Sequence, residues 1–238
     1  MNQKVKTRIE GYKYWDIFEE DVEDRTNQEV LSDMPIIMDN AIEGVNKRAR
    51  ETGKNAEQVR RNVAGNYFQA LVSYATADSA SANGLKLLHD KKLESTDIAG
   101  AVPTIGDDET ILSPDADIVY YDPEDDSSPI YILSCKTSFR ERMSQSGMWK
   151  LLFEISEHSC TDSDCMTNDY EFSAGFDRDI YMGIATVDFY DDVKTKDIVE
   201  IFDFVYSPSV NKDNTVETLY PLSELFDHLE GKWSSSDS

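Results

Sequence analysis

Residues 113–142 read SPDADIVYYDPEDDSSPIYILSCKTSFRER, and two strands joined by a turn account for the pattern. DADIVYYD (115–122) is rich in β-branched and aromatic residues, with Pro114 before it and the turn-rich DPEDDSSP after it. PIYILSCK (129–136) is almost continuously apolar until its end, as a central strand buried on both faces requires. The short acidic connection suits a hairpin. Asp115 and Asp117 then lie at the start of one strand and Lys136 at the end of its neighbour, all where the sheet meets solvent. Being two residues apart, Asp115 and Asp117 share a face on a regular strand.

Working outward, the spacing of Met148, Leu151, Leu152 and Ile155 predicts a helix over 138–156. DIYMGIATVDFY (179–190) and DIVEIFDFVYS (197–207) are two further strand candidates, and LSELFDHLE (222–230) a short last helix. On the N-terminal side, Ile36, Ile37, Ala41, Ile42 and Val45 recur at helical spacing over 34–50. Asn55 is an N-cap candidate for a second helix over 55–78, with Val59, Val63, Tyr67, Leu71 and Tyr74 as its stripe. SASANGLKLLHDKKL (79–93) reads as a loop leading into a short helix. Residues 1–30 are polar, with Tyr12, Tyr14, Trp15 and Phe18 as anchors. The order predicts an α/β fold with a mixed central sheet flanked by helices. It divides into a mainly helical part (1–100), a core of sheet and helices (101–232) and a disordered tail (233–238), expected to form one compact domain.

Composition narrows the function classes. No run approaches the roughly 18 apolar residues of a membrane span, and the first residues lack the apolar segment of a secretory signal. The expectation is a soluble cytoplasmic protein. Three cysteines do not make a disulfide framework. Cys160 and Cys165, near His158, lack a fourth ligand and the tighter spacing of a zinc site. His89, His158 and His228 are isolated. The 47 acidic and 23 basic residues leave a net charge of −24, unusual for a protein that meets phosphates. The acids are spread along the chain (EEDVED, GDDE, DPEDD, TDSD, DFYDD). That spread is similar to the proteins of salt-loving archaea, since the screening length shrinks to about 3 Å at 1 M salt.

The residues at the strand ends suit phosphodiester hydrolysis. A hard divalent cation needs carboxylate oxygens and open positions for water and phosphate. A lysine beside it orients the attacking water or offsets charge developing on phosphorus. Pro114-Asp115 followed by Ser134-Cys135-Lys136 resembles the PD-(D/E)XK nuclease superfamily, with Ser134 in the usual acidic position. One branch of its type II restriction endonucleases shares this Ser-x-Lys and moves the missing carboxylate onto the following helix. The same branch carries a basic–acidic–basic triplet shortly after the lysine, matched here by Arg140-Glu141-Arg142.

That resemblance, local to residues 112–156, implies a restriction-endonuclease-like fold and a Mg²⁺-dependent, sequence-specific DNA endonuclease. It implies catalytic roles for Asp115, Asp117, Lys136 and Ser134, with Asp115 and Asp117 as metal ligands. The arginines would read guanine O6 and N7 and Glu141 cytosine N4, giving a site that contains CC and GG. Gln145 adds a base or phosphate contact. The branch's third carboxylate falls here on Trp149, so Glu154, further along the helix, is the candidate for that ligand. The superfamily also often places a glutamate on the helix over 55–78, where this chain has Gln69. Double-stranded DNA is the implied partner, cut by a homodimer at a two-fold site, with a cognate DNA methyltransferase in the same host. Two rivals remain: an acidic, non-enzymatic protein that mimics DNA or binds a basic partner, and a nonspecific or repair nuclease of the same superfamily.

Overall fold

The computed structural model describes residues 2–105, 110–111, 116–138, 143–157, 178–188, 199–210 and 217–232. Its centre is a six-stranded mixed sheet. The strands are β1 (Lys86–His89), β4 (Ile118–Tyr121), β5 (Ile130–Ser138), β6 (Ile180–Asp188), β7 (Phe204–Ser207) and β8 (Leu219–Pro221), in the spatial order β1-β4-β5-β6-β7-β8. The β1, β4 and β5 pairings are antiparallel, and from β5 to β8 neighbouring strands are parallel. A small antiparallel ladder of β2 (Thr104–Ile105) and β3 (Thr110–Ile111) stands apart. The two strands expected from residues 115–136 are therefore the hairpin β4–β5, and the α/β class with a mixed sheet is as expected.

Five helices cover one face: α1 (Gln3–Glu10), α2 (Trp15–Glu23), α3 (Asn27–Ser32), α4 (Met34–Glu51) and α5 (Ala56–Ala82). The Asn55 side chain accepts from Gln58 N at 3.1 Å, the N-cap expected of it. Thr26 and Glu29 form a capping box that starts α3. α5 is buried around most of its circumference from Tyr67 to Ala77 because it lies between the sheet and the other helices. The strand side chains alternate accordingly. Ile118, Tyr120, Leu133, Cys135, Ala185 and Phe204 join the core shared with α5. Val119, Tyr121, Ile130, Ile132 and Met182 face the other way, towards Phe153 of α6 (Met143–Glu157).

Some expectations need correction. KLLH within residues 79–93 forms strand β1, not part of a loop, and α5 runs on to Ala82. β1 is only four residues long, and its alternating burial shows only once β4 is beside it. Ser138 ends β5, and α6 starts at Met143. The last predicted strand over 197–207 keeps only Phe204–Ser207, with Val199 in a helical turn. The polar N-terminal stretch holds three short helices, pinned by buried Ile9, Trp15, Phe18 and Val22. His158, Cys160, Cys165 and the tail 233–238 lie outside the described residues. Among the described residues, no helix is long and apolar enough to cross a membrane.

A buried histidine, His89, and a half-buried one, His228, fasten the α5 side. His89 shares hydrogen bonds with Tyr12 (2.8 Å) and Ser73 (2.9 Å). Burial, aided by the Arg8 guanidinium, lowers its pKa from 6.5 to about 4. Burial likewise lowers His228, which meets the Tyr206 hydroxyl, to about 4. The sheet is tight at Gly183: a Cβ there would sit 1.9 Å from the Phe204 ring and 2.7 Å from its carbonyl oxygen.

Gly183→Ala must therefore displace Phe204 and should cost about 1–3 kcal/mol in urea unfolding; an unchanged midpoint would show that the ring has room to move. The histidines are neutral in the fold and protonate more readily when unfolded, so they withdraw stability as pH falls from about 6.5 towards 4. A His89→Gln, His228→Gln double variant should lose less of its thermal midpoint across that interval than the parent, and parallel pH curves would refute the assignment.

Candidate active site

The β4–β5 ladder ends at the pair Ile118↔Leu133, while β5 continues to Ser138. Its edge at Ser134–Lys136 thus outruns the neighbouring strand, and a backbone N–H there must find another acceptor. Asp117, the residue before β4, supplies it. One carboxylate oxygen, Oδ2, accepts from Cys135 N at 2.7 Å and from Lys136 Nζ at 3.0 Å. Ser134 Oγ stands 3.5 Å from the same oxygen, at the limit of a hydrogen bond. The ion pair is well buried, with 8% of the Lys136 side chain and 19% of the Asp117 side chain exposed. Charge-assisted bonds to a shielded carboxylate are strong and directional, so the two groups hold each other in place.

The main chain of Asp117 is gripped as well. Its carbonyl oxygen accepts from Gln69 Nε2 at 2.8 Å and from Asp90 N at 3.0 Å. Gln69 is a buried residue of α5, so this helix reaches the site through an amide rather than a carboxylate. Asp90 adopts a left-handed φ of 49°, the single positive φ at a non-glycine residue among the described ones; its N–H is turned onto Asp117 just after β1. Sequence reasoning marked Gln69 but missed Asp90, because a backbone donor leaves no side-chain signal.

On the opposite face, Ser146 Oγ donates to Ser134 Oγ at 3.3 Å and ties the first turns of α6 to β5. Gln145, beside it, is exposed. Glu154 is directed elsewhere. It is exposed and pairs with Lys150 at 3.3 Å, and Lys150 also holds Asp203 at 2.8 Å. Asp203 in turn accepts from Met182 N at 2.7 Å. The structure therefore brings Asp117, Ser134 and Lys136 together, adds Gln69, Asp90 and Ser146 around them, and places Glu154 in a separate ion-pair group. Asp115, Arg140, Glu141 and Arg142 lie outside the described residues. Trp149, at the position of the branch's third carboxylate, is half-buried against the core beneath α6.

Chemically, the described centre offers a carboxylate, a hydroxyl and an ammonium at the end of two adjacent strands. The oxygens are hard donors that suit Mg²⁺, which commonly takes one or two carboxylates and keeps its remaining positions for water and phosphate. Among the described residues, no three or more His, Cys, Asp or Glu side chains cluster as a metal site.

A comparison with protein families matches residues 92–228 to the family described as BsaWI restriction endonuclease type 2. The matched span is more than half of the chain and includes β4, β5 and α6, hence Asp117, Ser134 and Lys136. A comparison with curated proteins gives no match. The chain belongs to the BsaWI family of type II restriction endonucleases.

Proposed function

We propose that this endonuclease is a PD-(D/E)XK enzyme that cuts double-stranded DNA with Mg²⁺ at a site containing CC and GG, and that its centre is Asp115, Asp117, Ser134 and Lys136. The observation that carries the reading is the Asp117–Lys136 pair, 3.0 Å apart at the ends of neighbouring strands. Asp115 and Asp117 are the residues that would hold the metal ion. Bound there, Mg²⁺ would supply Lewis-acid stabilisation of the phosphate.

The chain's own groups do the rest. Lys136 presents a positive charge beside the carboxylate and orients a water or stabilises negative charge on the phosphate. The Cys135 amide keeps the carboxylate from rotating, and the two donors on the Asp117 carbonyl hold its backbone. Ser134 takes the acidic position of the superfamily and is linked by Ser146 to the helix that follows. Arg140 and Arg142 read guanines, Glu141 reads cytosine, and the exposed Gln145 adds a contact. A homodimer would place two such sites on a palindrome. A cytoplasmic enzyme of this kind requires a partner methyltransferase, and its acidity fits a salt-rich interior.

Glu154 has less support as the third metal ligand, since its carboxylate is exposed and already paired with Lys150. It would have to leave that partner to serve.

Lys136→Ala should abolish cleavage of plasmid DNA while leaving binding intact, provided its thermal unfolding shows a folded protein; a variant that still cuts would end the catalytic assignment. In digests at low and molar KCl, discrete fragments support site-specific cutting, smears a nonspecific nuclease and intact DNA the mimic. Arg140→Ala should weaken specific binding by roughly 1–3 kcal/mol, and an equal effect on every sequence would make it a phosphate contact instead. Glu154→Gln should leave cleavage within a few-fold of the parent at saturating Mg²⁺, whereas a loss as deep as that of Lys136→Ala would make Glu154 a ligand after all.

A further inference from the structure

Beyond the strand ends, a cleft of about 680 Å³ opens between the turn that links α1 to α2, the first half of α5 and the end of β1. Its lining runs against the composition of the chain. Lys13 and Lys54 both face it and are exposed, and neither makes an ion pair among the described residues. The ammonium groups of Lys13 and Lys54 lie close enough that Lys13 lowers the pKa of Lys54. Like charges brought together without a carboxylate are costly to the free protein and leave a local positive field.

The α5 wall adds neutral donors. Asn62, Asn66 and Gln69 follow one another at helical spacing along the cleft, and the two asparagines are exposed. One carboxylate, Asp90, reaches the lining, and Arg8 holds it at 2.9 Å. An anion with several acceptor oxygens fits such a surface.

The inner wall ties the cleft to the strand ends. Gln69 lines the cleft and donates to the carbonyl oxygen of Asp117, and Asp90 lines it and donates to the same atom. The cleft is therefore continuous with the backbone that carries the Asp117–Lys136 pair. A chain of phosphates lying across the sheet end could meet both, whereas a single small anion would need only one.

We propose that this cleft binds backbone phosphates of the substrate DNA strand beside the scissile one, with Lys13 and Lys54 neutralising them and Asn62 and Asn66 donating hydrogen bonds. This rests on the nuclease reading above. The contacts carry no base information, so they strengthen binding to all sequences alike.

The test is metal-free binding of a fluorescent DNA duplex of random sequence, followed by anisotropy across a salt series. A Lys13→Gln, Lys54→Gln double variant should bind about ten-fold more weakly at low salt, and its log–log salt slope should be shallower by about 1.8, for two phosphates lost. Lys13→Arg, Lys54→Arg should restore the slope. A Lys4→Gln, Lys47→Gln variant makes the same charge change on exposed residues outside the cleft and should keep the parent's slope. Unchanged binding in the cleft variant, or an equal fall in the control, overturns the proposal and leaves the nuclease reading standing. Failure of the parent itself to bind the duplex also overturns the proposal, while plasmid cleavage with Mg²⁺ tests the nuclease reading separately.

Discussion

The site depends on one unfilled position in a hydrogen-bond ladder. β5 runs past the last described pair with β4, and the Cys135 N–H there donates to the Asp117 carboxylate. The bond fixes the carboxylate at the sheet end and makes it available to Lys136 on the same edge. A buried ion pair of this kind is a poor route to stability, because the cost of removing two charges from water rivals their attraction. It is an effective way to hold a carboxylate and an ammonium at a fixed separation. The Gln69 and Asp90 donors on the carbonyl complete the restraint, so that α5, the end of β1 and β5 all converge on one residue.

The two faces of the sheet then divide the work. On the α5 side, large side chains from helix and strand interlock around Tyr67, Phe68, Tyr120 and Tyr206, and Gly183 exists because the Phe204 ring occupies the space above it. On the α6 side, the core of the described residues is smaller and passes directly into polar contacts, Ser146 with Ser134 and Lys150 with Asp203. The rigid layer thus lies behind the site, while its polar side chains come from the end of β5 and the helix that follows. A centre placed by strand ends on a packed sheet has little freedom to drift, which suits a reaction that needs fixed separations.

How far the sequence foretold this follows from the physics of each element. The hairpin, α4 and α5 were legible because their apolar periodicity persists over several turns or a whole strand, and the Asn55 cap marked where α5 begins. β1 was not, since four residues give too little alternation to separate a strand from a loop. The helices before Asn27 were hidden by polar surfaces and revealed by only a few anchors. In the site, the closeness of Asp117 and Lys136 could be read from the ends of two adjacent strands. The grip on the Asp117 carbonyl could not, because it involves a backbone N–H and a glutamine amide brought in from distant parts of the chain. Glu154 shows what sequence position leaves out. Its sequence position suggested the site, but Lys150, one turn before it, is a nearer partner.

The net charge of −24 sets the terms on which such a site meets DNA. Long-range repulsion between an acidic protein and a polyanion decays over the screening length, about 8 Å at physiological salt. Direct contacts between donors and phosphates act over shorter distances, and salt weakens them through counterion release. An acidic enzyme is therefore pulled in two directions as salt rises: approach becomes easier, while each phosphate contact becomes weaker. Neutral donors such as the Asn62 and Asn66 amides would lose less in this exchange than ammonium groups do. A surface that mixes lysines with amides, set within a broadly acidic chain, would keep more of its phosphate contacts as salt rises than a wholly basic surface would.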